Sequence, residues 1–407
     1  MLLKNKVLPN CLLASFVLFS ASVTHAEVIF SETFDDQPDW TSGLPENDRG
    51  TFSMSGSVQG GWDVDVVQTA GVHTLPDGWD FVRQTPSYAP SLGDADRHET
   101  LEVSSKSTAE NPNRAKGRIG KSLVSWRDSD ISKGENSFQS DGILLKYYPE
   151  GFDQLYIEFW VNFSDTTVAT YYNPDYKTAT TGLSKLFRVY HWDGSGLTFD
   201  YYSNKNPNFL WGFEGRPTSQ SGYGFRNLLS GLTRRTDSGD PSQSKFIDHR
   251  GSPSNDLPSS YHPSTLTAYN GSALIDKRDG GVMGPNVGAI DIDQIFGDES
   301  QWTKVAFFVK MNSAPGAYDG QLIQWIDDRK IIEINTMQWV ASTRDMVKWN
   351  AFGFGGNDNF NKYPNELRHE EWYAFDDIMV ATEIPAELLV DLQNKAEPGP
   401  PLSIAVE

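Results

Sequence analysis

The stretch that most constrains this chain is residues 301–335, QWTKVAFFVKMNSAPGAYDGQLIQWIDDRKIIEIN. Thr303, Val305, Phe307, Val309 and Met311 alternate with Trp302, Lys304, Ala306, Phe308 and Lys310. That period of two predicts a strand with one face in a core and the other left for polar or aromatic work. Pro315, Gly316, Asp319 and Gly320 then break the run and reverse the chain. Residues 321–326 (QLIQWI) resume the extended pattern, Asp327-Asp328-Arg329 predicts a tight turn, and β-branched KIIEI predicts the returning strand. So regular an antiparallel meander commits the chain to an all-β architecture.

Further strands read in the same way. In LYIEFWVNF (155–163), Leu155, Ile157, Phe159, Val161 and Phe163 form a core face while Tyr156, Glu158, Trp160 and Asn162 point outward. GILLKYY (142–148) and KWNAFGFGG (348–356) are extended, the latter with glycines that invite a bulge or a close ligand. Near the ends of the chain lie VIFSETFDDQPDW (28–40) and EWYAFDDIMVATEIP (371–385), each carrying paired acids in apolar surroundings. Residues 195–298, rich in Ser, Gly, Asn, Asp and Pro, read as a loop-rich insertion of short hairpins that wall a groove. The expected organisation is a signal segment at 1–26, one β domain at 27–385 and a tail at 386–407 that opens as a short amphipathic piece (AELLVDLQNK).

Lys4 and Lys6, an apolar run from Cys11 to Val23 and Thr24-His25-Ala26 make residues 1–26 a secretory signal, with an apolar run too short for a membrane span. Cys11 is the only cysteine, so the expected mature chain, secreted or periplasmic, has no disulfides. A formal net charge of −20 excludes nucleic acid as the partner, because counterion release needs a basic face. The densest basic run, RAKGRIGK (114–121), reads as a solvated hairpin or as a contact for an acidic sugar. Aromatic residues make up 13% of the chain, which suits both a Trp-rich core and sugar stacking.

The long alternating strand, the YDG turn and the W-I-D-x-x-K-I-I hairpin together resemble the second half of concanavalin A-like jelly rolls, especially secreted polysaccharide lyases of alginate or glucuronan type and lectin-like proteins. The resemblance implies two packed antiparallel sheets with long loop insertions, and first and last strands side by side. It also implies a structural calcium ion shared by Glu32 and Asp377, with no organic cofactor. DADRHETLEVSSKS (94–107) partly matches the R-x-E-L-R groove strand of alginate lyases, with Glu102 where that pattern has Arg. Arg97 and His98 would thus contact substrate. LSKLFRVYHWDG (183–194) is similar to the K-L-type groove strand of such lyases.

That last segment carries the chemistry. With Phe187 and Val189 inward, Leu186, Arg188, Tyr190 and Trp192 project from the opposite face, while His191 falls on the core side where the strand runs into Asp193-Gly194. β-Elimination from a uronate needs a group that neutralises the carboxylate, a base for the C5 proton and an acid for the leaving oxygen. Lys185, Arg188, Tyr190 and His191 offer all three within a few residues. A tyrosine base, with an ordinary pKa of roughly 10, implies an alkaline optimum. Trp160, Trp192 and Asn350 complete the expected substrate contacts. The chain contains no G-x-S-x-G, no H-E-x-x-H and no E-x-D-x-E string, so nucleophilic, zinc and paired-carboxylate hydrolysis lack their signatures. The expected activity is a monomeric polysaccharide lyase acting on an acidic glycan. A non-catalytic glycan-binding protein and a divergent glycoside hydrolase are the alternatives.

Overall fold

The computed structural model describes residues 26–42, 64–65, 75–84, 90, 97–128, 138–165, 182–193, 207–216, 224–232, 254–256, 274–275, 282–283, 299–359 and 370–389. The expected signal segment lies outside these residues except for Ala26. The strands, in chain order, are β1 (Val28–Glu32), β2 (Trp40–Thr41), β3 (Val64–Asp65), β4 (Phe81–Gln84), β5 (Leu101–Val103), β6 (Leu123–Asp128), β7 (Phe138–Phe152), β8 (Gln154–Phe163), β9 (Gly182–Tyr190) and β10 (Asn208–Arg216). They continue with β11 (Gly224–Leu232), β12 (Ser254–Asp256), β13 (Leu274–Ile275), β14 (Val282–Met283), β15 (Thr303–Lys310), β16 (Gly320–Ile326), β17 (Arg329–Met337), β18 (Trp349–Asn359) and β19 (Glu370–Ala381).

Two large antiparallel sheets pack face to face, as in a jelly roll. The first has the order β17-β16-β15-β8-β19-β6-β5-β2, with β1 added alongside β19; the second runs β12-β11-β10-β9-β18-β7-β4-β3. The meander at 301–335 is present as β15, β16 and β17, each antiparallel to the next. The first and last strands pair as expected, Glu32 opposite Ile378.

Aromatic rings fasten the sheets together. Phe159 of the first sheet lies 5.2 Å from Phe187 and 5.1 Å from Phe354 of the second, measured between ring centroids. Phe187 stacks on Phe307 of the facing sheet at 5.4 Å. Val305, Phe307, Val309 and Met311, like the alternate residues of β8, all enter this core, so the parity read from sequence holds.

The outward faces differ from the expectation. Tyr156, Ala306 and Phe308 are buried in a second cluster with Ile323, Trp325 and Leu388. Leu388 belongs to the amphipathic start of the tail, and that segment covers one end of the first sheet's outer face. The region read as loops carries the nine-residue strands β10 and β11, which extend the second sheet beyond β9. Phe209 and Trp211 alternate with Leu210 and Gly212 there, and both aromatics enter the core, so a strand signal was embedded in the polar composition.

Candidate active site

Strand β9 is where the structure concentrates the expected chemistry. Opposite it on β10, Phe187 pairs with Trp211 but Lys185 pairs with Gly212, so Leu186 is an extra residue, a β-bulge. Leu186 joins the core beside Phe187 instead of facing outward as parity predicted. The bulge thereby turns Lys185 onto the face that holds Arg188, Tyr190 and Trp192. Two glycines of β18 accommodate it: a Cβ on Gly356 would lie 2.1 Å from the Lys185 carbonyl oxygen, and Gly355 holds φ at +100°.

The partners of this face follow from register. Tyr190 lies between Ala351 on β18 and Asn208 on β10; Arg188 lies between Gly353 and Leu210. Arg188 and Tyr190 stand about 7 Å apart along the strand. Both are buried, at 1% and 2% exposure, whereas Lys185 is half-buried. At such exposures a polymer touches them only when the face opens.

His191 follows the strand end and is half-buried, so it escapes the core that parity assigned it. Its Nδ1 donates to the Lys348 carbonyl at 3.1 Å, which makes Nε2 the basic nitrogen of the neutral ring. Trp192 packs edge-on to Phe81 (5.4 Å) and beside Tyr147 (4.8 Å). The two half-buried rings, which sequence reasoning passed over, border Trp192 on this face. Asn350 is also placed differently from expectation: its Oδ1 accepts from Trp192 N and its Nδ2 donates to Trp192 O, both at 2.7 Å. Its carboxamide therefore fixes Trp192, and the residue is buried at 4% exposure.

The other expected contacts lie on the first sheet's outer face, across the sandwich. His98 stacks on Trp126 at 3.7 Å and its Nδ1 lies 3.1 Å from Glu370. Burial lowers the pKa of His98, but the hydrogen bond to Glu370 and the charges of Glu102 and Glu370 outweigh it and raise the pKa overall. Glu102, at the position where the lyase pattern has Arg, accepts from Trp126 Nε1 at 2.8 Å. Arg97 precedes β5, which begins only at Leu101, so strand parity does not reach it. Trp160 is covered by Lys116, whose Nζ sits 4.5 Å from its ring centroid. Neither His98 nor Trp160 joins the β9 site.

The basic run at 114–121 is neither a solvated hairpin nor part of that site. Arg114 lies over Trp126, with Cζ 4.4 Å from the ring centroid, and Lys121 N donates to Asp35 at 3.0 Å. Lys116 Nζ meets Asp377 Oδ2 at 2.5 Å and Lys116 N donates to Asp376 at 3.0 Å. Asp377 occupies a bulge with φ at 43°.

These contacts decide the fit of calcium. Glu32 accepts from Phe34 N (2.6 Å), Gln37 Nε2 (2.7 Å) and Trp79 Nε1 (3.0 Å), while Asp377 faces an ammonium. Desolvation, with the nearby charges of Asp377 and Asp35, pushes Asp376 up to about 8. Among the described residues no group of three His, Cys, Asp or Glu could hold a metal ion. Glu32 and Asp377 do not fit a shared calcium ion.

Neither a protein-family profile nor a curated protein matches the chain. Several solved structures are similar to it at low identity. An alginate lyase, Aly36B, captured as a variant with an alginate tetrasaccharide, is 10% identical over 88% of this chain and 97% of that one, with a TM-score of 0.38. The endo-β-1,4-glucuronan lyase of the fungus Trichoderma reesei is 11% identical over 75% and 92%, again at 0.38. The PL-14 alginate lyase of Aplysia kurodai is 11% identical over 70% and 87%, at 0.34. Likeness this remote assigns no residue a role. Among the described residues no helix is long and apolar enough to cross a membrane.

Proposed function

We propose that the protein is a secreted polysaccharide lyase that cleaves a uronate-containing glycan by β-elimination on the outer face of the second sheet. One observation carries the reading: the bulge at Leu186 places Lys185 on the same face as Arg188 and Tyr190. Arg188 pairs with the uronate carboxylate and so acidifies the C5 proton. Tyr190, entering as the phenolate favoured by the neighbouring cations Arg188 and Lys185, takes that proton, the C4–oxygen bond breaks as the C4–C5 double bond forms, and the leaving oxygen collects a proton from Tyr190 or Lys185. Electron pair and proton balance without an oxidant or a second substrate.

The deep burial of Arg188 and Tyr190 favours a competing reading, a glycan-binding protein in which these groups never meet substrate. Incubating the chain with polymannuronate, polyguluronate and polyglucuronate separates the two. The lyase reading expects ultraviolet absorbance from an unsaturated uronate at new chain ends. Retention of any of these polymers with no unsaturated product after prolonged incubation would establish the binding protein instead.

A further inference from the structure

Asn208 is the residue at this face that neither motif nor parity singled out. It begins β10 directly opposite Tyr190, which places the two Cβ atoms about 5 Å apart. Its exposure is 3%, yet its Oδ1 finds no hydrogen-bond donor and is sealed from solvent. A buried carbonyl oxygen without a donor is costly to keep, so a donor brought to it from outside the chain gains a hydrogen bond at little further desolvation. Among the described residues Trp349, Ser125 and Thr100 also carry a bare polar atom, as does half-buried Asn113 beside Asn162 of the first sheet, and they lie elsewhere. Trp349 is in the core, Ser125 is paired beside Leu101 and Tyr373 of the core, and Thr100 touches the place where a Gly142 Cβ would be. Asn208 alone among them stands on the outer face of the second sheet.

We infer that Asn208 is a substrate-binding residue whose carbonyl accepts a hydrogen bond from a free hydroxyl of the sugar ring held at Tyr190. The chemistry selects the group. An amide oxygen only accepts, so it repels the uronate carboxylate and requires an O–H donor. Arg188 and Asn208 thus read two different groups of one sugar, its carboxylate and an unsubstituted hydroxyl. A ring acetylated at that hydroxyl loses the donor and leaves Oδ1 bare, which is the kind of mismatch a polar site rejects strongly. The inference rests on the lyase reading for the identity of the sugar, but the hydroxyl contact stands on Asn208 itself.

The test uses the full chain and two variants, Asn208→Leu and Asn208→Ala, with thermal melting and affinity measured separately. Polyglucuronate, polymannuronate, their O-acetylated forms and a neutral β-glucan serve as probes. Asn208→Leu removes a polar atom that has no partner, so its Tm equals or exceeds that of the wild type. Affinity for polyuronate falls about tenfold in both variants, the scale of one lost hydrogen bond. Acetylation weakens wild-type binding and leaves the variants unaffected. Wild-type affinity in both variants overturns the proposal, as does a Tm several degrees lower in both, which would mean that the carbonyl already has a partner in the free protein. Asn208-dependent binding with no unsaturated product, or equal binding to neutral glucan, removes the lyase reading and keeps the hydroxyl contact. Failure of the wild type to bind any probe removes both.

Discussion

The two outer faces of the sandwich hold similar residue types in different surroundings. On the first sheet, His98 meets Glu370, Arg114 meets Glu110 and Lys116 meets Asp377, each within 3.4 Å or less, and the rings of Trp126 and Trp160 lie under the cations. Most of the charged groups on that face are engaged by one another. On the second sheet, Arg188, Tyr190 and Asn208 are more deeply buried, and the amide oxygen of Asn208 has no donor. Paired groups fix a fold, whereas a buried acceptor left bare has a use only when another molecule arrives. The presence of basic and aromatic residues therefore does not locate a site; what they already touch does.

The sharpest way to break this contrast is Tyr190→Phe. Loss of the proton carrier should cut formation of unsaturated product by about a hundredfold or more while Tm moves little. Turnover close to wild type would move the chemistry away from β9. The opposite pattern is expected for Arg127, whose Nη2 lies 2.7 Å from Glu371 with both side chains at 1–2% exposure. Arg127→Met strands a buried carboxylate and should cost about 3–5 kcal/mol of stability in denaturant titrations, with the activity of the folded fraction unchanged.

How much of this was legible beforehand depended on distance along the chain. Strand parity is local, so the core faces of β8 and β15 and the inward Phe187 and Val189 could be read directly. The pairing of first and last strands followed from the resemblance. The Leu186 bulge could not be read, because one extra residue leaves the composition unchanged and shows itself only against Trp211 and Gly212 on the partner strand. The basic run was misread for a similar reason: the acid that neutralises Lys116 lies 261 residues away. Asn350 shows the limit most plainly, since its partner Trp192 is 158 residues distant and was itself taken for a sugar contact.

Smaller effects sharpen the first face. Lys116→Met should lower stability by about 1 kcal/mol, given a partly exposed pair plus one cation–π contact. Excess chelator should leave the wild-type melting curve unchanged; a chelator-induced drop in Tm would reinstate a metal. The smallest expected effect belongs to His98, which faces Glu370, Glu110, Glu102 and Arg114. Its folded pKa is raised, so its contribution is complete below the unfolded value of about 6.5 and fades as pH rises through the folded one. Stability measured across that window should lose this slope in His98→Gln.

Lys116 has a consequence that reaches beyond its own ion pair. A bound metal stabilises a fold by mass action, so its contribution follows the free ion concentration of the surroundings. An ammonium carried on the chain has an occupancy fixed by covalent attachment and cannot be dialysed away. Polyuronates are themselves sequestrants of divalent ions. A chain that ties the segment before β6 to its last strand with a tethered cation keeps that tie at any hardness of the water around it.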